Sequence, residues 1–375
     1  MTGKTEKRAI RQEKVMNWLD RKKQKELETA EEVPGMEVVT IKPEESVQSL
    51  LGKQRRPYSL SIAIPGSILN NAQSQELRVY LAGQIARAAS ISCVDEIVIF
   101  DEYARLTPNQ IESYYNGSWQ ADKPFRDDNS ECIFHMARIL EYLECPQYLR
   151  KTLFPLHKSL AFAGVLNPLD CPHHLRANDL SIPYRDGIIL DKPVKSGRGP
   201  LCDVGLDKEL QLEAEIDLPP LTRITYYLFK KKYYDIIFLC AKRYRGKLIS
   251  PQRVRHRAGI YWGYNVRIAG SLSEALKGQP EYNYIIGTSE HGTPLEELSL
   301  SVEESCRILL VFGGLKGLEA AVEADEEITT SVPAKAFQHY VSIAPGQGSR
   351  TIRTEEAVLM TLGILKSRLD FPYSF

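Results

Sequence analysis

With 375 residues and 43% hydrophobic side chains, the chain can bury a large core, and two or three domains are expected. Its 48 basic and 48 acidic side chains cancel, so net charge says nothing about a polyanionic partner and only local clusters can. The seven cysteines (Cys93, Cys132, Cys145, Cys171, Cys202, Cys240 and Cys306) are odd in number and never spaced C-x-x-C. That pattern argues against a secreted disulfide framework and against a zinc site. No apolar run is long enough to span a bilayer, and the charged N-terminus lacks the apolar core of a signal peptide. The expectation is a soluble intracellular protein with no membrane partner and no metal.

Residues 1–52 read as a charged extension. Lys4, Lys7, Arg8, Arg11 and Lys14 lead to Arg21-Lys22-Lys23, and Glu26, Glu28, Glu31, Glu32, Glu37, Glu44 and Glu45 follow. Such polarity suits a solvated tail, or a nuclear address or RNA-touching arm centred on Arg21-Lys22-Lys23. Order begins near Pro57. Tyr58 to Ile64 alternates as a strand, which Pro65-Gly66 ends. Leu77, Leu81, Ile85 and Ala88 recur at helical spacing and predict a helix over Gln75 to Ala89. Val94 to Phe100 is the next strand, closed by Asp101-Glu102, so a right-handed βαβ unit is expected. Tyr103 to Asn129 reads as a long loop, and Ser130 to Leu143 as a helix stopped by Pro146. Arg87, on the first helix, reads as a salt-bridge residue.

At Asn167-Pro168-Leu169-Asp170 the texture changes. Short β-rich runs follow at Gly187 to Leu190, Leu210 to Ala214, Arg223 to Phe229 and Tyr234 to Leu239, separated by proline and glycine breaks. They predict a small barrel. Tyr226, Tyr227, Phe229, Tyr233, Tyr234 and Tyr244 mingle there with Lys230, Lys231, Lys232, Lys242, Arg243, Arg245 and Lys247. Bases stack on aromatic faces while basic side chains hold phosphates, so the module reads as an RNA surface. Ordinary strand core with a solvated face gives the same pattern. Lys247 to Arg257 continues basic, with Arg253, Arg255, His256 and Arg257. Gly259 to Ala269 then resumes a buried strand and Leu272 to Lys277 a short helix. The barrel is therefore an insertion: residues 53–168 and 258–375 form the two halves of one α/β domain around a 169–257 insert.

Three strand-then-glycine units close the chain. They are Tyr284-Ile285-Ile286-Gly287-Thr288-Ser289-Glu290-His291-Gly292, Ile308 to Gly317, and Tyr340-Val341-Ser342-Ile343-Ala344-Pro345-Gly346-Gln347-Gly348. The non-alternating run Ile308 to Phe312 suits a parallel strand covered on both faces. Ligands of open parallel sheets bind beyond the carboxyl ends of strands, so three such loops can converge on one pocket. A nucleoside triphosphate needs G-x-x-x-x-G-K-[ST], and a dinucleotide needs G-x-G-x-x-G early in the chain; neither occurs here. Backbone amides, small hydroxyls (Thr288, Ser289, Ser342) and apolar flanks (Leu315, Leu318, Ile343) suit an uncharged sugar and a heteroaromatic base, as in S-adenosylmethionine.

The segment Tyr282 to Leu365 resembles the C-terminal trefoil knot of the SPOUT-class RNA methyltransferases. Tyr58 to Leu69, Leu81 to Arg87, Tyr261-Trp262-Gly263-Tyr264 and Pro345 to Ala357 are similar to the branch of that class with an OB-fold insert. The resemblance covers essentially everything after Arg56. It implies an α/β trefoil-knot fold interrupted by an OB-like β-barrel and a homodimer with cofactor and RNA sites near its interface. It further implies S-adenosyl-L-methionine as cofactor and N3 methylation of uridine in large-subunit ribosomal RNA. A nuclear or nucleolar location and a mitotic association with spindle or kinetochore proteins are implied as well. Carried over by position, the cofactor loops supply Thr288, His291 and Gly292; Gly313, Gly314 and Gly317; and Ser342, Ile343, Gly346 and Gly348. Ser342 and Ile343 stand where Asn-Thr is expected of close relatives, and His291 where Arg is expected, so backbone contacts are the ones expected to survive.

A sulfonium methyl is already electrophilic, so the protein's task is alignment and removal of the uridine N3 proton. Arg350 and Arg353 are the candidates for phosphate or carbonyl contacts, since guanidinium forks suit both. Asn70 is a candidate for orienting the base. Glu355 and Glu356 sit in the first turn of the closing helix, where the macrodipole favours carboxylates. A different class of function, a non-catalytic RNA-binding or spindle-associated scaffold, is the alternative; three intact glycine loops favour an enzyme.

Overall fold

The computed structural model describes residues 56–119, 129–176, 179–216, 218–228, 243–303 and 305–369. The charged extension, the basic and aromatic stretch 229–242 with its expected strand at Tyr234 to Leu239, and the side chain of Arg257 lie outside those residues.

Six strands form one sheet in the order β11-β9-β10-β1-β2-β8, every neighbouring pair parallel. They are β1 (Tyr58–Pro65), β2 (Glu96–Phe100), β8 (Asn265–Ala269), β9 (Tyr284–Pro294), β10 (Cys306–Val311) and β11 (His339–Ser342). β1 is central and buried along nearly its whole length, as expected of a strand covered on both faces. Its alternate residues enter different cores. Leu60, Ile62 and Ile64 pack with α1 (Gln75–Ile91), α3 (Asn129–Glu144) and α8 (Thr354–Arg368). Ala63, with Val98, Leu309 and Val311, packs against α5 (Leu272–Leu276) and α6 (Glu319–Ala324) on the other side. Each fully buried isoleucine contributes about 2 kcal/mol of transfer free energy.

Between β2 and β8 the chain leaves the sheet and closes a five-stranded barrel, β3-β4-β5-β7-β6. Its strands are β3 (Tyr184–Ile189), β4 (Leu201–Asp203), β5 (Leu210–Leu212), β6 (Arg223–Leu228) and β7 (Tyr244–Ile249). Ile189, Cys202, Leu210, Leu212, Tyr226 and Leu228 fill it. β7 falls in the run read from sequence only as basic. Its burial alternates, so Arg245 and Lys247 face solvent while Tyr244 and Gly246 face inward.

A buried polar cluster joins the barrel to the end of α3. The Glu144 carboxylate accepts from Arg223 Nη1 at 2.5 Å and Nη2 at 3.1 Å, and Arg223 reaches Asp186 Oδ2 at 2.6 Å. Asp186 Oδ1 also accepts from Thr225 at 2.7 Å and from Trp262 Nε1 at 2.9 Å. The ring Nε2 atoms of His173 and His174 lie 2.9 and 2.7 Å from the Glu144 carbonyl oxygen. Burial alone would push the Glu144 carboxyl up, but Arg223 and His173 outweigh it and hold the group far below the usual carboxylate range. Cys171, His173 and His174 bring possible metal-ligand atoms within 4.8 Å of one another; both Nε2 atoms meet the Glu144 carbonyl, and His173 Nδ1 is buried with no hydrogen-bond partner among the described residues.

Three expectations need correction. The expected loop from Tyr103 to Asn129 contains α2 (Pro108–Tyr115), capped by the Gln110 side chain accepting from Thr107 N at 2.9 Å. Tyr114 is its one buried residue, so it leaves almost no apolar period. The strand expected over Gly259 to Ala269 begins only at Asn265, because Gly259 and Gly263 turn left-handed at φ 66° and 67°. Gly263 is also pinned there, since a Cβ would sit 2.1 Å from Glu144 Oε1. Leu77, expected on the buried face of α1, is exposed, and Val79, Ala82, Ala86 and Ala89 take that face. Among the described residues, no helix is long and apolar enough to cross a membrane.

Candidate active site

Because all six strands run the same way, their carboxyl ends share one edge of the sheet. At that edge β1 runs into a turn carrying Ser67 and Asn70, β2 into Asp101 and Glu102, and β10 into Gly313 and Gly314.

The first glycine segment is not a loop after a strand but an excursion within one. Tyr340 pairs with Gly287 while the next residue, Val341, pairs with Thr293, so residues 288–292 stand out of the ladder. Thr288 is buried at its start and donates from Oγ1 to Val311 O at 3.0 Å, fastening this segment to β10. Gly292 lies so close to β11 that a Cβ would sit 2.3 Å from the Val341 carbonyl carbon. The His291 side chain is 75% exposed beside Glu290, at 3.6 Å, and points away from these contacts into solvent.

The second segment is a tight turn. Gly317 N donates to Gly314 O at 3.1 Å, and Gly317 holds φ 73°. A Cβ at Gly313 would meet the Gly317 carbonyl carbon at 2.5 Å, and one at Gly314 would meet Glu102 Oε2 at 2.4 Å. Close approach of main chain dictates Gly313, whereas the neighbour at Gly314 is the end of a side chain. In the third segment the Ser342 and Ile343 side chains are buried and pack inward. Gly346 turns at φ 74°, and a Cβ at Gly346 or Gly348 would meet nothing within 4 Å. Thr354, opening α8, donates from Oγ1 to Gly313 O at 3.0 Å, so the chain leaving the third segment is tied to the second.

Each segment is thus fastened to another at a named contact. Arg350 and Arg353 lie just before α8, both exposed; Arg353 has Glu355 at 3.9 Å, too loose a pair to fix the guanidinium. Its main-chain N donates to Glu356 Oε2 at 2.9 Å, so Glu356 caps the helix. Asn70 Oδ1 accepts from Cys132 Sγ at 3.1 Å, which holds it against α3. Arg87 bonds the carbonyls of Pro168 and Leu169 at 3.2 and 2.8 Å and ties α1 to the segment entering the barrel, a structural role.

Sequence reasoning passed over Glu102. It is 5% exposed, and its Oε2 has no hydrogen-bond partner among the described residues. Burial pushes its carboxyl up, with Asp101 adding to the rise, while hydroxyls of Ser67 and Tyr103 and the charge of Lys316 draw it back. The available signal was a carboxylate pair directly after an apolar strand. Glu319 is a second carboxylate at this edge, since a Cβ at Gly317 would lie 2.1 Å from its Oε2. With Glu319 beside it, the glycine turn disfavours a phosphate and attracts a cation. The donor set therefore fits S-adenosylmethionine, which carries a sulfonium and no phosphate.

The family described as "Putative RNA methyltransferase" matches residues 59–365 of this chain. A Mus musculus protein named 28S rRNA (uridine-N(3))-methyltransferase is 46% identical over 319 residues, covering 84% of this chain and 78% of that one. Its Homo sapiens namesake is 46% identical over 317 residues, 84% of this chain and 79% of that one. The Drosophila melanogaster protein of that name is 45% identical over 317 residues, 84% of this chain and 63% of that one.

Proposed function

The chain belongs to this RNA methyltransferase family, and on that premise we propose that it transfers a methyl group from S-adenosylmethionine to N3 of a uridine in large-subunit ribosomal RNA. The observation that carries the reading is the mutual fastening of the three glycine segments. Thr288 to Val311, Gly292 against Val341 and Thr354 to Gly313 draw them together at one edge of a parallel sheet.

In this reading the backbone of 288–292, 313–317 and 342–348 holds the cofactor, including Thr288, His291, Gly292, Gly313, Gly314, Gly317, Ser342, Ile343, Gly346 and Gly348. Bound there, S-adenosylmethionine supplies an electrophilic methyl on a cationic sulfur. The chain's own task is to place a uridine against it. Arg350 and Arg353 reach RNA phosphates or the uracil carbonyls, and Asn70 orients the base.

The SPOUT trefoil knot is part of the proposal. Its support is the β11-β9-β10 order and the Thr354–Gly313 bond between segments 41 residues apart. Residues 53–168 and 258–375 are taken as one catalytic domain and 169–257 as an OB-like RNA-contacting insert. Parallel pairing of β2 with β8 across the insert, and of β5 with β7 within it, supports that division. Leu315, 81% exposed in the second segment, and Leu359 and Met360 on α8 are apolar surface that a second copy in a homodimer would cover. A nuclear and nucleolar location follows from the substrate, and a spindle or kinetochore association completes the reading. Imaging of the tagged protein through the cell cycle tests both.

The deciding experiment is nucleoside mass spectrometry of ribosomal RNA from cells whose sole copy carries Gly314→Arg. N3-methyluridine is expected to fall to background; an unchanged level removes the proposed substrate.

A further inference from the structure

We propose that Glu102 accepts the N3 proton of the target uridine, a role that rests on the methyltransferase reading above. Glu102 follows β2 at the sheet edge where the glycine segments meet. The point where a Gly314 Cβ would sit lies 2.4 Å from Oε2 and 3.3 Å from Cγ of Pro65. The oxygen is buried beside this turn and has no hydrogen-bond partner among the described residues.

Its neighbour behaves differently. Asp101 accepts from the main-chain N–H groups of Tyr103, Arg105 and Leu106 at 3.0, 2.8 and 2.9 Å and is consumed by the turn. Of two adjacent buried carboxylates, one closes the backbone and the other keeps an oxygen in reserve. A buried acceptor without a donor is costly, so it calls for a donor that arrives with the substrate. The base of a uridine offers one N–H, at N3, flanked by two carbonyls. The groups facing Glu102 are Asp101 and Tyr103 beside it, Ser67 after β1 and Lys316 after β10. Burial raises the carboxyl toward the working pH, where a general base is most effective.

The step balances without a further reactant. The N3–H bond breaks, the proton passes to Oε2, and N3 keeps the electron pair, spread over O2 and O4. That pair bonds the methyl carbon while the carbon–sulfur pair departs with sulfur, leaving a neutral thioether. Glu102 then releases its proton to water.

The test uses the full chain, S-adenosylmethionine and transcribed large-subunit ribosomal RNA under single-turnover conditions. Glu102→Gln should slow transfer about a hundredfold or more while calorimetric affinity for the cofactor stays within about threefold. RNA transcribed with 5-fluorouridine, whose N3 is more acidic, should recover part of the lost rate. Ser67→Ala removes a hydroxyl that favours the carboxylate, so the acidic limb of the rate profile should move to higher pH. Independently of turnover, infrared spectra of the free protein should show a protonated-carboxyl band that persists above the ordinary carboxylate range and is missing from Glu102→Gln. A folded Glu102→Gln protein with wild-type rate and pH profile overturns the assignment. So does a rate loss fully accounted for by weaker cofactor binding, which would make Glu102 a cofactor ligand. No transfer by the wild-type chain would instead remove the methyltransferase reading, and this assignment with it.

Discussion

At Gly314 a side chain would contend with the Glu102 carboxylate for space. A Cβ there would sit 2.4 Å from Glu102 Oε2 and 3.3 Å from Cγ of Pro65. Gly314→Ala is therefore expected to displace either the turn or the carboxylate. Cofactor affinity should fall about tenfold or more, or roughly 1.4 kcal/mol, with the fold retained. Calorimetric titration beside a thermal melt separates the two effects. The arginines differ in kind. Exposed and loosely paired, Arg350 and Arg353 contribute little to stability, so replacing each by Ala should leave the melting curve alone. RNA affinity should drop instead, with the salt slope falling by about 1 per arginine if each meets a phosphate. An unchanged slope would place both away from the RNA backbone.

Among the elements, the long apolar runs were legible and the irregular connections were not. β1 and β10 announce themselves because parallel strands covered on both faces need apolar residues at nearly every position. α2 was hidden because a surface helix with one buried residue has no period to detect. The first glycine segment was misplaced for a related reason. Whether 288–292 follow a strand or stand out of one depends on β11, whose pairing partner is set far along the chain. The junction of α3 with the barrel was equally invisible, since Glu144, Arg223, Asp186 and Trp262 are scattered in sequence and meet only in the fold. Glu144→Ala would leave half-buried Arg223 with Asp186 alone, remove the carboxylate beside His173 and open a cavity. We expect a loss of about 3–5 kcal/mol in denaturant melts, against little loss for an exposed pair such as Lys277–Glu327. A loss below 1 kcal/mol would mean that the junction is solvated.

Across the whole molecule, buried histidines set the response to acid. Burial lowers His135, and burial with the neighbouring His173 lowers His174, each from 6.5 to about 4. In that window the unfolded chain binds protons that the folded chain refuses, so the stability these groups lend at neutral pH is lost as pH falls from about 6.5 to about 4. The full difference is at most about 3 kcal/mol for each histidine. Glu102 and Glu141, both raised by burial, act in the opposite sense, because the folded chain keeps their protons to higher pH. The measurement is therefore a comparison of melting curves across this range. His135→Asn keeps a group where Nδ1 meets Ser159 Oγ at 2.6 Å, and His174→Gln keeps one where Nε2 meets the Glu144 carbonyl at 2.7 Å. Both variants should flatten the loss; parallel curves would rule the histidines out.

The sequence by itself determined what local chemistry can encode: strands from apolar runs, a barrel from short strands between breaks, and three glycine-bearing segments near the carboxyl end. It also carried the resemblance that named a ligand for those segments. Tertiary structure alone decided which carboxylate closes a turn and which keeps an oxygen free, that Arg87 serves a carbonyl pair, and that Ser342 and Ile343 turn inward. The physical reason is that burial and partnership belong to pairs of residues distant in the chain. Asp101 and Glu102 are adjacent in sequence, yet they differ because one meets its own turn and the other meets Gly314.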